Sequence, residues 1–120
     1  LQIGEKSEDL KKIIDENALG VLLSCVSPGN FEKNLIELKS LNIPFGFKLN
    51  GFVTTKLIES YTSVFLGKKS NPNEILGKRQ DLTPTKIQEI AKKFKDAGAT
   101  ILGGCCETGP AHIKAMAKLK

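Results

Sequence analysis

The chain has 120 residues, a formal charge of +5 and 40% hydrophobic residues, which leaves room for one modest domain of ordinary globular composition. No apolar run approaches the roughly 20 residues that span a bilayer, and the opening LQIGEKSEDLKK lacks the order of a secretory signal, so no membrane partner is expected and a cytoplasmic location is the default. The lysines are spread along helical segments with few aromatics among them, which reads as solvated faces and not as a nucleic-acid footprint, and three cysteines without a secretory signal read as thiols.

In chain order, Ser7 is placed to cap a short helix with apolar positions Leu10, Ile13 and Ile14, ended by Asp15, Glu16 and Asn17. Ala18 to Leu23 is a continuous apolar run of strand length, the kind buried on both faces in a parallel sheet, and it delivers Ser24 and Cys25 to its C-terminal end. Asn30 reads as the cap of a helix carrying Phe31, Leu35, Leu38 and Leu41 on one face. Ile43 to Phe47 forms a second predicted strand, with Pro44 tolerated at its start, and Lys48 to Phe52 its exit loop.

Thr54 to Phe65 fits either a helix or irregular structure, because Thr, Val, Tyr and Ser weaken its helical propensity. Gly67 to Leu82 is polar and rich in Gly, Asn, Pro and Lys, a surface loop of the sort that serves a site or a subunit contact, as in a homo-oligomer. Thr83-Pro84 opens the clearest helix, with Ile87, Ile90, Ala91, Phe94 and Ala97 on one face and Gly98 at its end.

The densest chemistry lies between Ala99 and Met116. Ala99 to Leu102 reads as a short buried strand, after which Gly103 and Gly104 clear space for another backbone or a ligand. Cys105 and Cys106 follow, and Gly109-Pro110 starts a last helix whose apolar face is Ile113, Met116 and Ala117. Thiols near the positive end of a helix are favoured as thiolates, the form that binds metal or attacks.

Strands alternating with helices in this way predict an α/β fold of parallel strands joined by right-handed crossovers, so that every strand ends on one rim. Cys25, Asn50, Cys105 and Cys106 are then neighbours in space. Three strand–helix units cannot close a barrel of about 250 residues, so the chain reads as part of a larger fold or one half of an assembly. Each candidate residue also has a plainer role. The adjacent cysteines suit buried small hydrophobes or a vicinal disulfide, Asn50 a turn beside Gly51, Glu107 a helix N-terminal acid, and His112 a surface or capping position.

The stretch GATILGGCCETGPAHIKAM resembles the C-terminal signature of the homocysteine S-methyltransferase family, and FGFKLNGF and RQDLTPTKIQEIAKKFKDAGAT resemble the segments that precede it. The resemblance implies that residues 1–120 are the C-terminal portion, about strands six to eight, of a zinc-containing (β/α)8 TIM barrel whose N-terminal part lies outside this chain. It implies Zn2+ held by Cys25, Cys105 and Cys106. Ser24 stands where family members often carry Asn, and with Asn50 it is a candidate substrate contact. The implied reaction transfers a methyl group from an onium-type or carrier donor to the thiol of homocysteine, giving methionine. The alternative is a non-catalytic zinc-binding half-barrel, or a fragment that needs a partner chain.

Overall fold

The structure, a computed structural model, describes residues 14, 17–53 and 77–120. The helix expected from Ser7 lies almost wholly outside these residues, as does the segment Thr54 to Phe65, and of the loop Gly67 to Leu82 only 77–82 lies inside.

The described elements run β1 (Val21–Val26), α1 (Pro28–Ser40), β2 (Phe45–Leu49), α2 (Pro84–Asp96), β3 (Ile101–Gly104) and α3 (Pro110–Ala117). The strands pair in parallel in the order β1-β2-β3, as the strand–helix alternation predicts. All three strands begin two or three residues later than their hydrophobicity suggests. Pairing sets the start: the Val21 amide takes the Pro44 carbonyl at 2.8 Å, while Leu19, inside the expected first strand, is 92% exposed. Gly103 and Gly104 belong to β3 itself, opposite Lys48 and Leu49.

Helix α1 begins one turn earlier than expected from Asn30. Ser27 is the cap, its hydroxyl accepting from the Asn30 amide at 3.3 Å, and Pro28 occupies the first turn, where a missing N–H costs nothing. Helix α2 repeats the arrangement with Thr83 and Pro84, in agreement with the sequence.

Three rings form the centre of the core. Phe31 of α1, Phe47 of β2 and Phe94 of α2 are essentially fully buried, with ring centroids 4.7 to 5.6 Å apart in tilted and edge-on pairs. Leu23, Leu38, Leu49, Ile87, Ala91 and Met116 complete the same cluster. Met116 carries the burial of α3; Ile113, expected on its apolar face, is 46% exposed, and Ala117 is exposed as well.

All described helices therefore bury residues against one face of the sheet, the face of Leu23 and Phe47. Register places Leu22, Gly46 and Ile101 in one row and Ser24, Lys48 and Gly103 in the next, on the opposite face. No described helix covers that side, and Leu22 and Ile101 are each about 40% exposed. Among the described residues, no helix is long and apolar enough to cross a membrane.

Candidate functional site

The C-terminal ends of β1 and β3 flank that of β2, and each carries thiols. The β1 side is irregular. Ser24 pairs with Lys48 and Val26 with Leu49, which leaves Cys25 as an extra residue in a β-bulge. Its φ is +52°, a left-handed conformation that a residue with a Cβ adopts at a cost of roughly 1–2 kcal/mol. A bulge re-aims a side chain, and here it directs the Cys25 sulfur across the sheet end.

On the β3 side the chain turns immediately. The Cys105 carbonyl accepts from the Thr108 amide at 3.1 Å and from the Thr108 hydroxyl at 2.5 Å. Gly104 admits this turn, because a Cβ there would overlap the Thr108 hydroxyl. The close approach expected at the glycines is thus made by the chain's own Thr108. The turn is tied to the loop after β2: the Cys105 amide donates to the Leu49 carbonyl at 2.7 Å and the Gly51 amide to the Cys106 carbonyl at 2.9 Å.

The sulfurs meet as a result. Cys25 Sγ lies 3.7 Å from Cys106 Sγ, and Cys105 Sγ lies 3.9 Å from Cys106 Sγ. All three sulfurs lie within 4.8 Å of one another. Around a tetrahedral zinc ion with bonds of about 2.3 Å, sulfurs stand about 3.8 Å apart. Two of the three separations have that length already, so the donor set fits a zinc ion bound by three thiolates with a fourth position left for another ligand.

Electrostatics divides the three thiols. Burial, reinforced by hydrogen bonds to Cys105 and Cys106 and by their like charge, pushes the Cys25 thiol up to about 12. At Cys105 burial also opposes ionisation, but hydrogen bonds from Cys25 and from the Cys106 backbone and side chain, with the positive charge of Lys48, outweigh it and hold this thiol below its ordinary range. Lys48 stands on the sheet face that no described helix covers, one row before the thiols, a place that its reading as exit loop did not suggest.

Asn50 is fully buried at the end of β2. Its amide nitrogen donates to the Cys25 carbonyl at 2.6 Å and its oxygen accepts from the Phe52 amide at 3.3 Å. Ser24 is exposed on the uncovered face beside Cys25. Glu107, with φ +61°, lies 3.5 Å from the Lys78 ammonium. His112 accepts from the Gly109 amide at 3.0 Å through Nδ1 and donates to the Leu82 carbonyl at 2.9 Å through Nε2, the capping arrangement with both ring nitrogens occupied.

The fold and site define a class: an α/β sheet with a three-cysteine cluster at the C-terminal ends of its parallel strands. Comparison with known proteins narrows the class. The profile of the family described as homocysteine S-methyltransferase matches residues 1–119, and the chain belongs to that family. It is similar to homocysteine S-methyltransferase 1 of Zea mays, 28% identical over 123 aligned positions that cover 97% of this chain. The chain spans about a third of the length of that relative, 32%.

Proposed function

We propose that this chain supplies the zinc-binding rim of a homocysteine S-methyltransferase and forms the last strand–helix units of a (β/α)8 barrel. The observation that carries the reading is the convergence of Cys25, Cys105 and Cys106 from two strand ends to within 4.8 Å. The packing of every described helix on one face of the sheet supports the barrel. A doubly wound parallel sheet needs helices on both faces, whereas in a barrel the inner face is filled by side chains from the remaining strands. Here α1, α2 and α3 all pack on the Phe47 side, and an apolar groove of about 690 Å³ beside β3, lined in part by Ala99, Ile101, Leu102, Ile113 and Met116, lies where a further barrel unit would pack.

In this reading the three cysteines hold the metal, and the turn from Cys105 to Thr108 and the bulge at Cys25 set their directions. Zinc bound there supplies the Lewis acidity that keeps a substrate thiol in its nucleophilic thiolate form near neutral pH. The homocysteine sulfur then attacks the methyl carbon of an onium-type or carrier donor. A sulfur–carbon bond forms, the bond from the methyl group to the donor breaks, and its electron pair leaves with the donor, giving methionine. Lys48 places a positive charge beside a site that gathers thiolates, and Ser24 faces the space where substrate would lie.

The test is elemental analysis of the full-length protein purified without added metal, beside a Cys105→Ala, Cys106→Ala variant, followed by assay of methyl transfer to homocysteine with a panel of donors. About one zinc per chain, lost in the variant, with methionine formed, supports the proposal. Absence of zinc from the unsubstituted protein overturns it. The sheet face that no described helix covers favours one second reading, a zinc-binding half-barrel without catalysis that needs a partner chain, and zinc without transfer to any donor would select it.

A further inference from the structure

We propose that Asn50 is a positioning residue for the metal site: its side-chain amide holds the Cys25 bulge in the one conformation that points the β1 thiol at the pair on β3. The inference rests on the proposed zinc site and adds a residue that does not itself ligate.

The argument starts from the conformation of Cys25. A cysteine at φ +52° is strained, and such strain persists only where the surroundings over-determine it. Strand pairing does not reach Cys25 itself, because the bulge removes it from the β1–β2 ladder, whose pairing jumps from Ser24–Lys48 to Val26–Leu49. Asn50 spans that gap. Its amide N–H reaches the Cys25 carbonyl at 2.6 Å, and its backbone N–H donates to the very next carbonyl, that of Val26, at 3.0 Å.

The amide is itself fixed. Its oxygen accepts from the Phe52 N–H at 3.3 Å, which determines which end faces Cys25, and the side chain has no exposed surface on which to swing away. A part-buried carbonyl that loses this donor is left with a desolvation cost, so without Asn50 the residue at position 25 has reason to leave the left-handed region. Its sulfur would then turn from Cys106. Outer contacts that orient ligands in this way commonly govern metal affinity by 10- to 100-fold, as a rough range.

Two substitutions separate this role from simple packing. Asn50→Ala removes both ends of the amide. Asn50→Asp keeps an acceptor for Phe52, removes the donor to Cys25, and adds negative charge that by itself would favour a divalent cation. In the full-length protein, zinc affinity is measured against a competing chelator, and cobalt(II) is used as a spectroscopic probe whose thiolate charge-transfer absorption reports the number of sulfur ligands.

Both variants are expected to bind zinc about 10- to 100-fold more weakly, with the cobalt charge-transfer intensity down by about one third as one of three thiolates drops out. In a Cys25→Ala background, Asn50→Ala is expected to add no further loss of affinity. Wild-type affinity and a full three-thiolate spectrum in folded Asn50→Asp protein would overturn the inference, as would an undiminished effect of Asn50→Ala in the Cys25→Ala background. Failure of the unsubstituted protein to take up zinc or cobalt would instead remove the metal site, and this inference with it.

Discussion

The Gly51 amide donates to the Cys106 carbonyl at 2.9 Å, so the loop after β2 grips the turn that presents two of the three thiols. The contact is close on the side-chain side as well. A Cβ on Gly51 would stand 3.0 Å from the Glu107 Cβ and 3.3 Å from its carbonyl oxygen. Gly51→Ala should therefore push the 105–108 turn outward. We expect a loss of about 1–3 kcal/mol in denaturant unfolding, the usual cost of overpacking, together with weaker zinc binding in chelator competition. Unchanged values in both measurements would show that the turn yields without moving the sulfurs.

Zinc binding should be linked to pH through Cys25. Its thiol is held up at about 12 by burial first and by its sulfur neighbours second, so without metal it keeps its proton throughout the neutral range. Ligation needs the thiolate. Uptake at neutral pH must then release at least this proton, and lowering the pH strengthens the competing protonated form. Affinity is expected to fall as pH falls, by about tenfold per unit for each proton released. Zinc competition across a pH series, with proton release followed in weakly buffered solution, checks the sign. An affinity that does not vary with pH would contradict it.

Lys48 bears on the neighbouring thiol in the opposite sense, since its charge helps hold Cys105 below the ordinary thiol range. Replacing it by Met keeps the stem and removes the charge. In metal-free protein near neutral pH, Lys48→Met should slow alkylation of Cys105 by iodoacetamide, because the thiolate is the reactive form. Peptide mapping of the labelled protein separates Cys105 from the other two cysteines. Equal rates in both proteins would mean that solvent screens Lys48 from the site.

Much of this arrangement is legible in the residues and some of it is not. The three cysteines, the parallel strands that bring them together and the Thr83-Pro84 helix start follow from strand-length apolar runs and turn chemistry. Ser27-Pro28 carries the same helix-start signature as Thr83-Pro84, yet the glycine and asparagine after it also suit a turn, and only packing of Phe31 against Phe47 settles the earlier start. Strand ends are fixed by partners that a single segment does not reveal, as Val21 shows by pairing with the Pro44 carbonyl. The bulge at Cys25 leaves no trace in composition, because cysteine has no preference for positive φ. Asn50 is visible in the sequence as one half of an Asn-Gly pair, but its bond to a carbonyl 25 residues away depends on the register of β1 and β2.

The aromatic centre predicts a sharp contrast between two apolar positions. Phe47 has no exposed surface and touches the rings of both Phe31 and Phe94. Phe47→Ala should cost about 3–5 kcal/mol, a large part of the 5–15 kcal/mol, roughly, that holds an ordinary domain together. Ile36 lies on α1 but is 82% exposed, and Ile36→Ala should stay within about 0.5 kcal/mol. Urea unfolding of the two variants checks the difference. Similar costs at the two sites would mean that Ile36 is covered by a surface outside the described residues.

His112 provides the last contrast, between a ligand and a cap. Both ring nitrogens are occupied, Nδ1 by the Gly109 amide at the start of α3 and Nε2 by the Leu82 carbonyl ahead of α2. The side chain thus joins the entries of two helices, and in doing so it leaves no lone pair for a metal. His112→Ala removes an N-terminal cap and leaves the Gly109 amide without its acceptor, which should lower stability by about 0.5–2 kcal/mol. Zinc content should stay the same once the variant is measured under folded conditions. Loss of zinc at unchanged stability would instead make His112 a ligand, which would require the ring to give up both of these bonds.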